Sequence, residues 1–305
     1  MPIHYTRLHR REFLQTSLVA GASMLTFGQV LGDDKQQNVP EHVALLSDTH
    51  IDADATKVVR GSVMSANLQK VIADVIAQPQ QPAQAFIDGD CAFNVGLPED
   101  YRTLASLLVA FPAANIPLHM ALGNHDDRTA FLKQFASLNE ETQAVEGKHV
   151  SRIETKHANW FLTDTLQKVN NVTGEIGAQQ LDWLSSALKA NREKPAIVLG
   201  HHNPQFDARE DARVTGLQDS LALFELLESL PHVKAYVFGH THSWSVKQRD
   251  SGLHLINLPP IGYAFNETSP IGWVDAALTA TGMQLTLRCT DPNHAQHLTQ
   301  QELAW

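Results

Sequence analysis

Five short apolar runs in this chain each stop at a cluster of Asp, Asn and His, and that recurrence constrains the fold more than any other feature. Residues 42–47 end at Asp48-Thr49-His50, and residues 85–87 at Asp88-Gly89-Asp90. Residues 118–122 end at Gly123-Asn124-His125-Asp126, residues 196–199 at Gly200-His201-His202, and residues 233–238 at Gly239-His240-Thr241-His242. Runs this short and continuous read as strands buried on both faces. Between them lie stretches with apolar residues at helical spacing, over 63–77, 101–111 (opened by Pro98-Glu99-Asp100), 178–190 and 221–230. Period-2 patterns over 149–164 and 244–288 add antiparallel strands. Strands alternating with helices argue for α/β sheets covered by helices. Ligands of such sheets bind beyond the carboxyl ends of the strands, so the five clusters converge on one rim.

The rim carries oxygen and nitrogen donors and no thiolate, a set that suits Mn, Fe or Zn. Histidine, the commonest metal ligand, occurs 16 times in 305 residues. Paired carboxylates repel and buried imidazoles prefer neutrality, so a cation pair bridged by one carboxylate would settle the charge problem. Each short motif alone is weak, because D-x-H and G-D pairs also serve as turns. Their joint occurrence after five strands is what carries weight. The formal net charge of −10 lacks the electrostatic footprint of a protein that grips nucleic-acid polymers. The two cysteines, Cys91 and Cys289, are too few for a disulfide framework.

Arg10 and Arg11 precede a moderately hydrophobic stretch that runs to about Leu31, an arrangement that resembles a Tat signal. Residues 1–31 are therefore read as an export signal, with the Tat machinery as a partner and a periplasmic or exported location. An A-x-A site is missing, so cleavage near Gly32 and retention as an anchor both stay open. The competing reading is a helix of the folded domain. No other apolar run approaches the roughly 20 residues a membrane span needs. Residues 32–40 read as a polar linker, 41–290 as the folded domain that carries the five clusters and 291–305 as a C-terminal tail.

The ordered set DTH (48–50), GD (89–90), GNHD (123–126), GHH (200–202) and GHTH (239–242) resembles the calcineurin-like metallophosphoesterase superfamily. GNHDDR (123–128), the Q-x-x-W-L helix at 180–184 and Asn257-Leu258-Pro259 resemble its bacterial class III cyclic-nucleotide phosphodiesterase branch. The resemblance implies a four-layer α/β/β/α sandwich with a dinuclear metal centre. It implies that Asp48, His50 and His242 hold the first metal, that Asp90 bridges, and that Asn124, His202 and His240 hold the second. His202 is preferred to His201 because His202-Asn203-Pro204 reproduces the family's H-x-P, and the choice between the two stays open. His125 would face the phosphate and protonate or stabilise the leaving oxygen, with Asp126 orienting it.

The expected reaction is hydrolysis of a small phosphate ester, a phosphodiester first, by a metal-activated hydroxide. The alternatives are a phosphomonoesterase or nucleotidase on the same centre, or a non-catalytic exported metal-binding protein. Metal identity and oligomeric state stay open. Asn94, Arg128, His201 and Tyr263 are candidate substrate contacts at the lip. Purple acid phosphatases place a metal-binding tyrosine three residues after the bridging Asp, where this chain has Phe93, so no tyrosinate colour is expected. Many relatives carry an Asp in the Gly-Asp loop where this chain reads Cys91-Ala92-Phe93-Asn94.

Overall fold

The computed structural model describes residues 39–136, 144–206 and 213–305; the expected signal over 1–31 and most of the expected linker lie outside them. In chain order, β1 (Glu41–Ser47) leads into a small hairpin, β2 (Val58–Val59) and β3 (Ser62–Val63), and then α1 (Met64–Ile76). β4 (Gln84–Asp88), α2 (Pro98–Leu108), α3 (Ala110–Ala113), β5 (Leu118–Ala121) and α4 (Arg128–Gln134) complete the first half. The second half runs β6 (Ser151–Glu154), β7 (Asn159–Leu162), α5 (Ala178–Ala190), β8 (Ala196–Leu199), α6 (Ser220–Glu228) and β9 (Val233–Phe238). β10 (Ser245–Gln248), β11 (His254–Asn257), β12 (Gly272–Thr279), β13 (Gly282–Cys289) and β14 (Gln300–Ala304) close the chain.

Two six-stranded sheets result, ordered β14-β13-β12-β1-β4-β5 and β10-β11-β9-β8-β7-β6. Strands β1, β4 and β5 run parallel, as do β7, β8, β9 and β11, and antiparallel partners flank them. The continuous apolar runs follow from burial on both faces. In β1, Val43 and Leu45 enter the core between the sheets, whereas Ala44 and Leu46 pack with α1 and α2 residues such as Leu68 and Leu104. In β8, Ile197 and Leu199 face the inter-sheet core, and Ala196 and Val198 face Leu184 of α5 and Leu223 of α6. Three apolar cores between four layers are the α/β/β/α sandwich expected from the resemblance.

Three details differ from the sequence reading. The helix expected over 101–111 breaks after Leu108, three residues short, where Pro112 has no N–H to return to the Leu108 carbonyl. Residues 291–305, set apart as a tail, supply edge strand β14, paired antiparallel with β13. Only Leu303 of that strand is buried, so no alternation marked it. The β2–β3 hairpin turns at Arg60-Gly61 with φ of 49° and 80°, the double positive φ of a type I′ turn. Among the described residues no helix is long and apolar enough to cross a membrane.

Candidate metal centre and active site

At three of the five strand ends the chain turns sharply on the chemical residues themselves. Asp48, His50, Asp90, His240 and His242 all take positive φ, between 44° and 67°. They are five of the nine non-glycine residues with positive φ among the described residues. A side chain in this region is sterically disfavoured, and such strain concentrates where a fixed geometry has a use. The loops then pack at backbone contact: a Cβ on Gly123 would lie 2.2 Å from Asp90 Oδ1, and one on Gly89 2.6 Å from the Gly123 nitrogen.

Asp48, His50, Asp90, Asn124, His201, His202 and His242 are buried, and His125 and His240 are half-buried. His50 Nε2 lies 2.9 Å from His242 Nε2, and His242 Nε2 lies 3.3 Å from Asp48 Oδ1. On the other side of Asp90, His201 Nε2 lies 3.2 Å from Asp90 Oδ2. Potential ligand atoms of Asp48, His50 and His242 cluster within 4.8 Å of one another, as do those of Asp90, His201 and His240, and those of His50, Asp90 and His125. Asp90 thus belongs to groups on both sides.

Five of the imidazoles are pinned from behind by backbone carbonyls. His50 Nδ1 donates to the Phe93 carbonyl (3.2 Å), His242 Nδ1 to Tyr263 (2.6 Å), His201 Nδ1 to Asp88 (2.7 Å) and His125 Nδ1 to Asn94 (2.7 Å). His240 does so through Nε2, to Thr215 (2.8 Å). A carbonyl only accepts, so the other ring nitrogen of each neutral imidazole presents a lone pair. Two such lone pairs then face each other in the His50–His242 pair, and another faces Asp90 Oδ2. His201 Nε2 and Asn124 Oδ1 are buried without a hydrogen-bond partner. Electron pairs aimed at one another in a buried site repel unless a cation lies between them, so the donor set fits divalent metal ions.

The electrostatics show protons competing with a cation for these lone pairs. Burial pushes Asp48 and Asp90 up, but the facing imidazoles, His242 for the first and His201 for the second, win and hold both below the ordinary carboxylate range. Burial lowers His201, yet Asp90 and Asp48 beside it hold it well above the ordinary histidine range. Burial brings His50 and His240 down to about 4. Burial also raises Asp88, one turn behind the centre, well above the usual range.

Several expectations meet a different geometry. His202, preferred over His201, is not in the Asp90–His201–His240 cluster: its Nδ1 lies 2.7 Å from the Thr165 hydroxyl, and its ring packs against Gly174 and lies 4.7 Å from that of His240, with Nε2 buried and, like that of His201, without a hydrogen-bond partner. The cause is strand phase, because successive side chains alternate. His201 continues the phase of Ile197 and Leu199 toward the other sheet, and His202 that of Ala196 and Val198 away from it. The β8 alternation was therefore the signal that could have separated them. Asp126, expected to orient His125, instead binds backbone: Oδ1 accepts from Ala92 N–H (3.0 Å) and the Tyr101 hydroxyl (3.0 Å), and Oδ2 from Cys91 N–H (3.1 Å) and Gly123 N–H (2.9 Å). It clamps the 89–92 loop to the 123–126 loop, while the Asn94 carbonyl orients His125. Arg128, a lip candidate, forks onto buried Asp164 at 2.6 and 2.8 Å and also donates to the Leu166 carbonyl. Tyr263 does stand at the lip, its ring 4.9 Å from that of His50 and 4.8 Å from that of His242. The pinning carbonyls were invisible to sequence reasoning, since every residue carries one.

A profile of the family described as calcineurin-like phosphoesterase matches residues 41–244. A 3',5'-cyclic-nucleotide phosphodiesterase from Nostoc sp. is 27% identical over 234 residues, 76% of this chain and 83% of its own. The glycerophosphodiester phosphodiesterase GpdQ from Enterobacter lignolyticus is 23% identical over 206 residues, 68% of this chain and 72% of its own. Among solved structures, a dimetal phosphatase from Danio rerio superposes with a TM-score of 0.66 at 14% identity, over 87% of this chain and 99% of that one, a likeness of fold. The profile runs through all five segments that feed the rim, and the chain belongs to the calcineurin-like phosphoesterase family.

Proposed function

We propose that this phosphoester hydrolase cleaves small phosphodiesters at a dinuclear metal centre. The observation that carries the reading is the set of opposed lone pairs around Asp90: His50 Nε2 against His242 Nε2, and His201 Nε2 against the shared carboxylate. Asp48, His50 and His242 would hold one ion, Asn124, His201 and His240 the other, and Asp90 both. The two ions, of Mn, Fe or Zn type, would acidify a water and neutralise charge growing on the phosphate oxygens. The protein's own part is preorganisation: carbonyls fix each imidazole, and Asp126 locks the two loops that carry Asp90 and Asn124.

His125 holds the proton for the leaving oxygen. Its backbone N–H donates to Asp90 Oδ1 (2.8 Å), which sets its position relative to the bridge. Its Nδ1 proton is engaged by the Asn94 carbonyl, so the proton passed to the leaving oxygen is the Nε2 proton of the imidazolium form, and its loss leaves the neutral ring still tied to Asn94. The relatives named for cyclic-nucleotide and glycerophosphodiester hydrolysis support a diester substrate. The twin arginines support export by the Tat route, which would put external phosphodiesters within reach. The test is His125→Ala with Mn²⁺ saturating. Turnover of a diester with an alkoxide leaving group should fall by about 10²–10⁴, the usual share of general-acid catalysis, and that of an activated aryl diester by much less. Equal turnover of the alkoxide substrate by variant and wild type would remove His125 from the reaction.

A further inference from the structure

Phe265 is the one aromatic side chain in the exposed class among the described residues, with 46% of its surface open. It is not loose: its ring lies flat on the imidazole of His242, centroids 4.1 Å apart and planes within 7°. One face is therefore fixed one ring-thickness from the basin. Above the ring sits the Arg60 guanidinium, 5.4 Å from its centroid. That is looser than a van der Waals stack. Arg60 projects from the β2–β3 turn at a φ of 49°, a place where type I′ turns favour Asn or Gly. The turn thus keeps a long, planar cation at a strained position, beside an aromatic ring that stays open to solvent. Exposed apolar rings rimmed by polar groups mark binding grooves, and retained backbone strain points the same way.

We infer that Phe265 and Arg60 form an outer subsite that stacks a planar heteroaromatic group of the substrate, and so selects nucleoside phosphodiesters over glycerol-based ones. This deepens the phosphodiesterase reading and rests on it. Phe265 supplies the π-face, and the exposed Arg60 guanidinium, at 5.4 Å too close to the ring for a base to fit between them as they stand, swings outward on its long side chain to close over the base; the pairing suits any base because every base has a face to stack. The subsite adjoins the basin, since the ring beneath Phe265 belongs to His242, whose Nε2 is 3.3 Å from Asp48 Oδ1. Tyr263 extends the wall, its ring 6.1 Å from that of Phe265. A glycerol phosphodiester has no flat group to place there.

The experiment uses the Mn²⁺-loaded full chain, with 3',5'-cyclic AMP and glycerophosphocholine as substrates. Phe265→Ala should lower the ratio of kcat/KM for the nucleotide over the glycerol diester by roughly tenfold, chiefly through KM, as expected for loss of one stacked base. Phe265→Trp should restore it, and Arg60→Ala should give a smaller loss of the same sign. Equal losses on both substrates, or failure of tryptophan to restore the ratio, would overturn the subsite. Calorimetric titration with AMP and ribose 5-phosphate gives a second readout: wild type should bind AMP more tightly, and Phe265→Ala should erase the difference. Equal affinities in wild type would also reject it. If wild type hydrolyses neither diester, the phosphodiesterase reading fails, while the AMP comparison still decides the stacking site.

Discussion

Replacing Arg128 by methionine separates a strut from a substrate contact. Arg128 opens α4 directly after the 123–126 loop and donates Nε and Nη2 to Asp164, which is fully buried behind β7. Breaking one side of a buried ion pair costs about 3–5 kcal/mol, because the remaining charge is stranded. Asp164 would keep two backbone donors, His149 N–H (2.9 Å) and Leu166 N–H (3.0 Å), which puts the loss near the low end, about 3 kcal/mol. At about 2 °C per kcal/mol for a domain of this size, Tm should drop by roughly 6 °C. Urea and thermal unfolding measure the loss, and KM for an aryl phosphodiester at saturating Mn²⁺ checks the site, where little change is expected. Arg128→Lys should recover part of the stability, since an ammonium can serve one carboxylate oxygen but not fork across both. A methionine variant as stable as wild type, with KM raised tenfold, would return Arg128 to the substrate lip.

Other outcomes follow from the same geometry. His201→Ala should lose one of the two ions on dialysis, measured by elemental analysis, whereas His202→Ala should keep both; the reverse would reverse the ligand assignment. Burial holds His119 down to about 4, with Nε2 2.8 Å from Gln84 Oε1, while the unfolded imidazole titrates near 6.5. Its contribution to stability is therefore complete above about 6.5 and is lost as pH falls toward 4, because the unfolded chain takes up the proton first. Urea midpoints at pH 7 and 5 should converge partly in His119→Gln, and an unchanged pH slope would exclude this cause. Iron-loaded protein should show no tyrosinate band in its visible spectrum, since the third residue after Asp90 is Phe93, whose ring instead carries the Lys57 ammonium at 4.0 Å.

The strand-end clusters made helix-covered α/β sheets and the donor set legible before any coordinates, for a physical reason, while the four-layer sandwich came with the family resemblance those clusters carry. Burial on both faces writes continuous apolar runs, and a metal site needs specific side-chain chemistry that only Asp, Asn and His supply in this pattern. Asp48, His50, Asp90, Asn124, His240 and His242 all reached the rim that the strand pattern assigned them. Chemistry that depends on direction was not legible in the same way. Whether His201 or His202 faces Asp90 turns on strand phase and on which sheet each side chain meets. Asp126 and Arg128 carry the charges expected of site residues, yet tertiary packing spends both on holding loops together. The ring of carbonyls from Phe93, Asn94, Asp88, Thr215 and Tyr263 comes from backbone that any sequence would provide. Composition and spacing determined which atoms could bind a cation; only the packing of two sheets decided which lone pairs were turned to meet it.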